Sequence, residues 1–263
     1  MSITKKSCCG TREAAPQQQN DVKEFVKKRY ADRVKAPGMT SCCGTASGSC
    51  DSAVALSAGY TEEQLAGVPA HAAEHSFGCG NPVALAGIRP GQTVLDIGSG
   101  AGIDVLLAAR KAGPEGHVIG LDMTIEMIEA ATKNAVEAGL SNVEFRLGDA
   151  EDMPVESGTV DWIISNCVIN LAPDKAKVFA EAYRVLRPGG RILVSDLVTH
   201  GLPETARKSL EAWAFCVGGA LEEEDYLAAI RGAGFKSIPD ELARLAPSLA
   251  GKVSSIKIGA VKF

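Results

Sequence analysis

A glycine string, Gly98-Ser99-Gly100-Ala101-Gly102, directly follows the apolar run Thr93–Ile97 and precedes a helical pattern opening at Ile103. Glycines at such a junction permit a tight turn and bring backbone amides close to a ligand at the positive end of a helix. Two acids accompany it: Asp96, two residues ahead of Gly98, and Asp122, 24 residues after it, where a carboxylate can accept both hydroxyls of a ribose. The dinucleotide fingerprint Gly-x-Gly-x-x-Gly requires glycine at 103, and Ile103 stands there. A carboxylate at 96 suits a cationic ligand, directly or through water, and would repel a pyrophosphate.

The second chemical inventory is sulfur. Of eight cysteines, Cys8, Cys9, Cys42, Cys43 and Cys50 lie in polar, Gly/Ser-rich surroundings, whereas Cys79, Cys167 and Cys216 stand singly at the edges of ordered patterns. A composition that is 46% apolar fills a core unaided, so stability does not account for eight thiols. Structural zinc uses close Cys-x2-4-Cys pairs. No two of Cys79, Cys167 and Cys216 are that near, and the adjacent pairs Cys8-Cys9 and Cys42-Cys43 are too close. Three dispersed thiols suit a soft, three-coordinate element that keeps a lone pair, as trivalent arsenic does. His71 and His75 adjoin no cysteine at useful spacing; Asn166 and Glu223 fall near the presumptive acceptor end.

The elements that must position these groups divide the chain into a mobile tail (1–20), an N-terminal helix with a cysteine-containing cap (21–91) and a main α/β domain (92–263). Val22, Phe25, Val26, Tyr30 and Val34 recur at helical spacing, and Pro37-Gly38 ends that helix. Residues 38–92 read as irregular, with one short helix at 61–66. Beyond them strands near 93–97, 117–121, 143–147, 160–165, 191–196, 235–238 and 254–261 alternate with helices near 103–112, 124–138, 174–186, 204–214 and 222–233. Ile128, Ala131, Ala135 and Ala138 form the expected buried face of the second of these helices, and Pro188-Gly189-Gly190 the turn into a strand. Cys167 follows the fourth strand, and ligands of open α/β sheets sit beyond strand carboxyl ends.

No run of 18 apolar residues and no apolar leader occurs, so a cytoplasmic protein with free thiols and no membrane contact is expected. Residues 1–50 carry nine Lys/Arg against four Asp/Glu, leaving eighteen against twenty-eight in an acidic body that disfavours nucleic acid. A monomer is favoured; the sequence does not define the oligomeric state.

Val94–Gly102, Gly120-Leu121-Asp122-Met123-Thr124, Gly148–Pro154 and Val185–Gly190 resemble the successive motifs of class I S-adenosylmethionine (SAM)-dependent methyltransferases. The resemblance implies a Rossmann-like seven-stranded sheet whose last strand is antiparallel. It assigns Asp96, Gly98, Ser99, Gly100 and Gly102 to the methionine end of SAM, Asp122 with Met123 to the ribose and Asp149 with Ala150 to adenine. Asn166 is added to the cofactor set.

Three further segments, Phe77–Leu85, Ile164–Leu171 and Cys216–Leu221, resemble the cysteine segments of arsenite methyltransferases, so that similarity runs over about residues 22–238. The family resemblance implies Cys79, Cys167 and Cys216 as arsenic(III) ligands, arsenite and methylarsonite as substrates, and thioredoxin or glutathione as thiol reductant. A further functional thiol falls among Cys42, Cys43 and Cys50, with Cys50 taken as the catalytic candidate. Phe77 stands where the family often has Tyr. Two rivals remain at this level: a methyltransferase for a small organic molecule, which tolerates cysteine-to-serine changes, and an arsenic-sequestering protein, which needs no SAM.

Overall fold

The computed structural model describes residues 16–35, 51–207, 209–237 and 252–263; Cys8, Cys9, Cys42, Cys43 and Cys50 lie outside them. The elements in chain order are α1 (Pro16–Lys35), α2 (Asp51–Ser57), α3 (Glu62–Ala66), α4 (Ala70–Glu74), α5 (Pro82–Leu85), β1 (Thr93–Ile97), α6 (Ile103–Ala112), β2 (His117–Asp122), α7 (Ile125–Glu137), β3 (Val143–Leu147), β4 (Val160–Asn166), α8 (Lys175–Val185), β5 (Leu186–Thr199), α9 (Glu204–Arg207), α10 (Leu210–Ala214), α11 (Glu223–Gly232), β6 (Lys236–Ser237) and β7 (Val253–Val261). No described helix is long and apolar enough to cross a membrane.

The seven strands form one sheet in the order β3-β2-β1-β4-β5-β7-β6. β1 to β5 pair in parallel, and β7 runs antiparallel to both β5 and β6. Alternation along the central strands divides the core: Leu95, Ile97 and Ile163 enter one apolar layer, while Val94, Trp162 and Ile164 enter the layer on the opposite face. Strand order reverses between β1 and β4, so their carboxyl ends, Ile97 and Asn166, flank the crevice where such a sheet binds ligands.

Several sequence expectations are corrected. The helix begins at Pro16, inside the segment read as a tail, because proline is well placed in a first helical turn and the following glutamines tolerate helix. Residues 51–85 form four short helices: α3 is the one expected at 61–66, and α2, α4 and α5 stand where irregular structure was expected. Thr61 and Asn81 cap two of them, and Ala55, Ala58, Ala72 and Ala73 bury against α6 and the sheet; elements this short carry no readable period. α7 buries Met127, Ala131, Asn134 and Ala135, a face rotated from the expected one, because the Asn134 amide donates to the Ala101 carbonyl at 2.9 Å. The helix expected at 204–214 divides in two, since the Ser209 hydroxyl accepts from the Ala212 N–H and starts α10. Arg187–Gly190 is a bulge within β5: pairing shifts from Val160–Leu186 to Trp162–Arg191.

The Gly98 turn tightens the join between β1 and the crevice. Its φ is +71°, and a Cβ there would lie 2.3 Å from a Val168 methyl. Gly98→Ala is therefore expected to lower stability by about 3 kcal/mol through left-handed strain plus overpacking. Urea unfolding measures this, and Val168→Ala in the same background is expected to recover part of the loss.

Candidate functional site

The carboxyl ends of β1, β2 and β4, with α1 over them, line a cleft. Asp96, Gly98, Ser99, Gly100, Asp122, Met123, Asp149, Ala150, Asn166 and Cys167 all line it. Gly102 stands behind the loop as the N-cap of α6, packed near Ala131 and Phe145. Glu223 is in the first turn of α11 and does not line the cleft. His75, stacked on His71 at 4.2 Å, does.

Three carboxylates give the cleft its charge. Asp122 accepts the Gly100 N–H at 3.0 Å and the Thr124 N–H at 2.9 Å, which clamps the glycine loop to the start of α7. Asp104, in the first turn of α6, accepts the Tyr60 hydroxyl at 2.9 Å and the Asn166 amide at 3.2 Å. Asp96 is 2% exposed. Burial raises Asp96 well above the ordinary carboxylate range, and the charges of Asp104 and Asp122 add to the rise. Burial raises Asp104 to about 6 against the opposing hydrogen bonds of Tyr60 and Asn166. Burial also raises Asp122, opposed by its backbone donors. Beside these acids the Ser99 hydroxyl is buried without a hydrogen-bond partner among the described residues. A ligand with positive charge and hydrogen-bonding groups meets both features.

The three sequence-selected cysteines converge beside the cleft, which Cys167 lines and Cys79 and Cys216 do not. Cys79 and Cys167 are joined by a disulfide with Cα atoms 5.8 Å apart, and the buried Cys216 thiol donates to the Cys167 carbonyl at 2.8 Å. The expectation of three free thiols is thus corrected: the fold brings two of them within bonding reach. Cys167 (φ +58°) and Cys216 (φ +61°) are the only non-glycine residues of positive φ among those described. Strain of this kind costs on the order of 1–3 kcal/mol and concentrates at functional sites.

Asn166 fastens the Cys79 loop to the end of β4. Its Oδ1 accepts the Cys79 and Gly80 N–H groups at 3.0 and 3.1 Å, and its Nδ2 donates to the Gly80 carbonyl at 2.6 Å. The flanking glycines are sterically required: a Cβ at Gly78 would lie 2.2 Å from Asn166 and one at Gly80 1.9 Å from Ser195. Asn166 thus lines the cleft with its amide already engaged by the cysteine loop, Tyr60 and Asp104.

Behind Cys216, burial pushes Asp196 up to about 6 and Lys175 down to about 8. Burial and then the Asp196 charge push the Cys216 thiol up, opposed by a hydrogen bond from Tyr30 and by Arg33 and Lys175. Lys23 on α1 and Asp104 escaped the sequence reading, and Tyr30, read there only as part of the apolar face of α1, also lines the cleft. Their separation of seven residues, two helical turns, puts Lys23 and Tyr30 on one side of α1, which is the available signal.

Residues 88–234 match the family described as a methyltransferase domain. The arsenite methyltransferase of Halobacterium salinarum is 44% identical over 230 residues, covering 83% of this chain and 58% of that protein. The human arsenite methyltransferase is 36% identical over 186 residues, covering 67% and 49%. The chain therefore spans roughly half to three-fifths of the length of these curated relatives. Among solved structures, an arsenic(III) S-adenosylmethionine methyltransferase from Chlamydomonas reinhardtii superposes with a TM-score of 0.65 at 36% identity, covering 76% of this chain and 72% of that one. A class I SAM-binding sheet, matched over most of the chain by arsenite methyltransferases, places this protein in the arsenite methyltransferase family.

Proposed function

We propose that the chain is an enzyme that methylates trivalent arsenic, held by Cys79, Cys167 and Cys216, with SAM as methyl source. The observation carrying this reading is the convergence of three cysteines from distant segments around Cys167, which lines an acid-lined cleft. The relatives named arsenite methyltransferases support the choice of arsenite as substrate. The cleft fits SAM chemically: Asp96, Asp104 and Asp122 balance its positive charges, Ser99 offers an unpaired hydroxyl, and Asp122 retains acceptor capacity for a ribose. Asp149 and Ala150 take the adenine end. When bound there, SAM supplies a methyl carbon made electrophilic by its sulfonium.

The chain's own contribution is to build and aim the nucleophile. Arsenous acid exchanges each hydroxyl for a cysteine sulfur, and each thiol proton leaves with that hydroxyl as water. The Cys79–Cys167 disulfide must first accept two electrons and two protons, so substrate binding waits on reduction. The trithiolated arsenic keeps its lone pair, and the positive-φ turns at Cys167 and Cys216 hold that atom beside the cleft, where positioning accounts for most of the rate. No general base is required. Thioredoxin or glutathione serves as the electron source, with Cys50, Cys42 or Cys43 as the relay thiol. A reducing compartment such as the cytoplasm supports this cycle. In the same reading residues 21–91 serve as the cysteine-bearing cap and 92–263 as the catalytic domain.

Three outcomes are expected. Reduced protein given arsenite and labelled SAM forms S-adenosylhomocysteine in an arsenite-dependent manner, and Cys167→Ser lowers that rate at least about 100-fold, since serine is a poor ligand for a soft centre; retained activity would point to an organic acceptor. Arsenite titration of the oxidised protein, read by calorimetry, shows little binding at the cleft, and binding appears after reduction with a phosphine that is removed before the titration. The third concerns pH. The acids bind a cation only when ionised, so acidification through the Asp104 value of about 6 weakens SAM; between pH 7.5 and 5 the Kd rises about tenfold for that single group, and a flat profile contradicts the assignment.

A further inference from the structure

Lys23 has no part in the cysteine chemistry, yet α1 delivers it into the cleft. Its Nζ lies 2.6 Å from Asp149 Oδ2 and 2.7 Å from Glu151 Oε2. The other Asp149 oxygen accepts the Glu151 N–H at 2.9 Å, and Glu151 Oε1 accepts the Asp174 N–H at 2.9 Å, so the chain of contacts ends on the α8 cap. Val22 and Val26, buried against Cys167 and Cys216, fix the helix that carries Lys23, and Lys35 pairs with Glu126 at 2.7 Å farther along it. Asp149 therefore approaches the cleft with its carboxylate restrained at both oxygens.

We infer that Lys23 is a positioning residue that holds the Asp149 carboxylate to receive the 6-amino group of a purine, and so makes the site choose an amino- over an oxo-purine. This deepens the SAM reading above and rests on it. An aspartate on a half-exposed loop would otherwise sample several rotamers; one pinned between an ammonium and a backbone N–H is already arranged, which removes an ordering cost from binding. A purine bearing an amino group donates to the remaining lone pairs of that carboxylate. A 6-oxo purine presents an acceptor there and sets it against the carboxylate's own acceptors. Lys23 also cancels local negative charge, so the uncompensated acids lie at the other end, with Asp96 and Asp104. The cationic end of the ligand is thereby directed to them and the neutral base to Asp149. Burial by itself would lower the Lys23 ammonium, but Asp149 and Glu151 hold it above its ordinary value, so it stays charged.

The test compares binding of S-adenosylhomocysteine with its 6-oxo counterpart, S-inosylhomocysteine, by calorimetry on the full chain. Lys23→Met is expected to weaken the adenosyl ligand about tenfold, the scale of one charge-assisted hydrogen bond, and to leave the inosyl ligand within about twofold. Lys23→Arg, which keeps the cation, is expected to restore most of the discrimination. Equal weakening of both ligands, or no change in either, overturns the inference, because a general packing role for α1 would not separate them. A wild type that binds the adenosyl ligand without preferring it also overturns it. Failure of the wild type to bind S-adenosylhomocysteine at all defeats the SAM reading itself.

Discussion

The clasp made by Asn166 is the interaction on which the rest of the site depends. A single side chain at the end of β4 accepts from the backbone of the Cys79 loop and donates to Tyr60 and Asp104, so one amide sets both the sulfur wall and the acid wall. The next residue is Cys167, whose N–H donates to the Ser195 carbonyl at 2.7 Å across the sheet. Remove the amide and five groups lose a partner together, a larger disturbance than the loss of one hydrogen bond. The glycines on either side of Cys79 follow from the clasp, because only backbone without Cβ can approach Asn166 and Ser195 so closely.

Around that clasp the chain keeps two costly arrangements side by side. Buried carboxylates that raise one another's proton affinity are destabilising until a cation arrives, and left-handed backbone at two cysteines is strained until something needs the sulfurs there. Neither helps folding, and they meet at Cys167, which lines the same cleft as the acids. The large two-layer core supplies the stability that tolerates them. α1 then covers the cleft from above, joined to its cofactor side through Lys23 and to its sulfur side through Tyr30 and the aromatic contacts of Arg33 with Phe77 and Phe215.

Much of this was legible in the sequence where a local pattern carries it. The Gly98–Gly102 turn, the strand-end acids Asp96 and Asp122, and the positions of the strands follow from runs of apolar residues broken by glycines, and the structure has them in those places, while the antiparallel last strand came from the family resemblance. The three cysteines were selected for being isolated in sequence, and the fold brings them together. The places of Lys23, Tyr30 and Asp104 at the cleft were missed for a common reason: each acts through a tertiary contact with a partner 62 to 186 residues away, and a charged or aromatic residue on an amphipathic helix looks the same whether it faces solvent or a cleft. Of the short helices of residues 51–85, α2, α4 and α5 were missed because alanines and, for α5, the Asn81 cap define them, with no period to read.

The central claim is that Cys79, Cys167 and Cys216 act together as the cradle for trivalent arsenic. X-ray absorption at the arsenic edge of the reduced, arsenite-loaded protein tests it most directly. Three sulfur neighbours are predicted, with oxygen replacing one of them in each single cysteine-to-serine variant. A spectrum that keeps oxygen ligands in the wild type, or that keeps three sulfurs after Cys216→Ser, would contradict it.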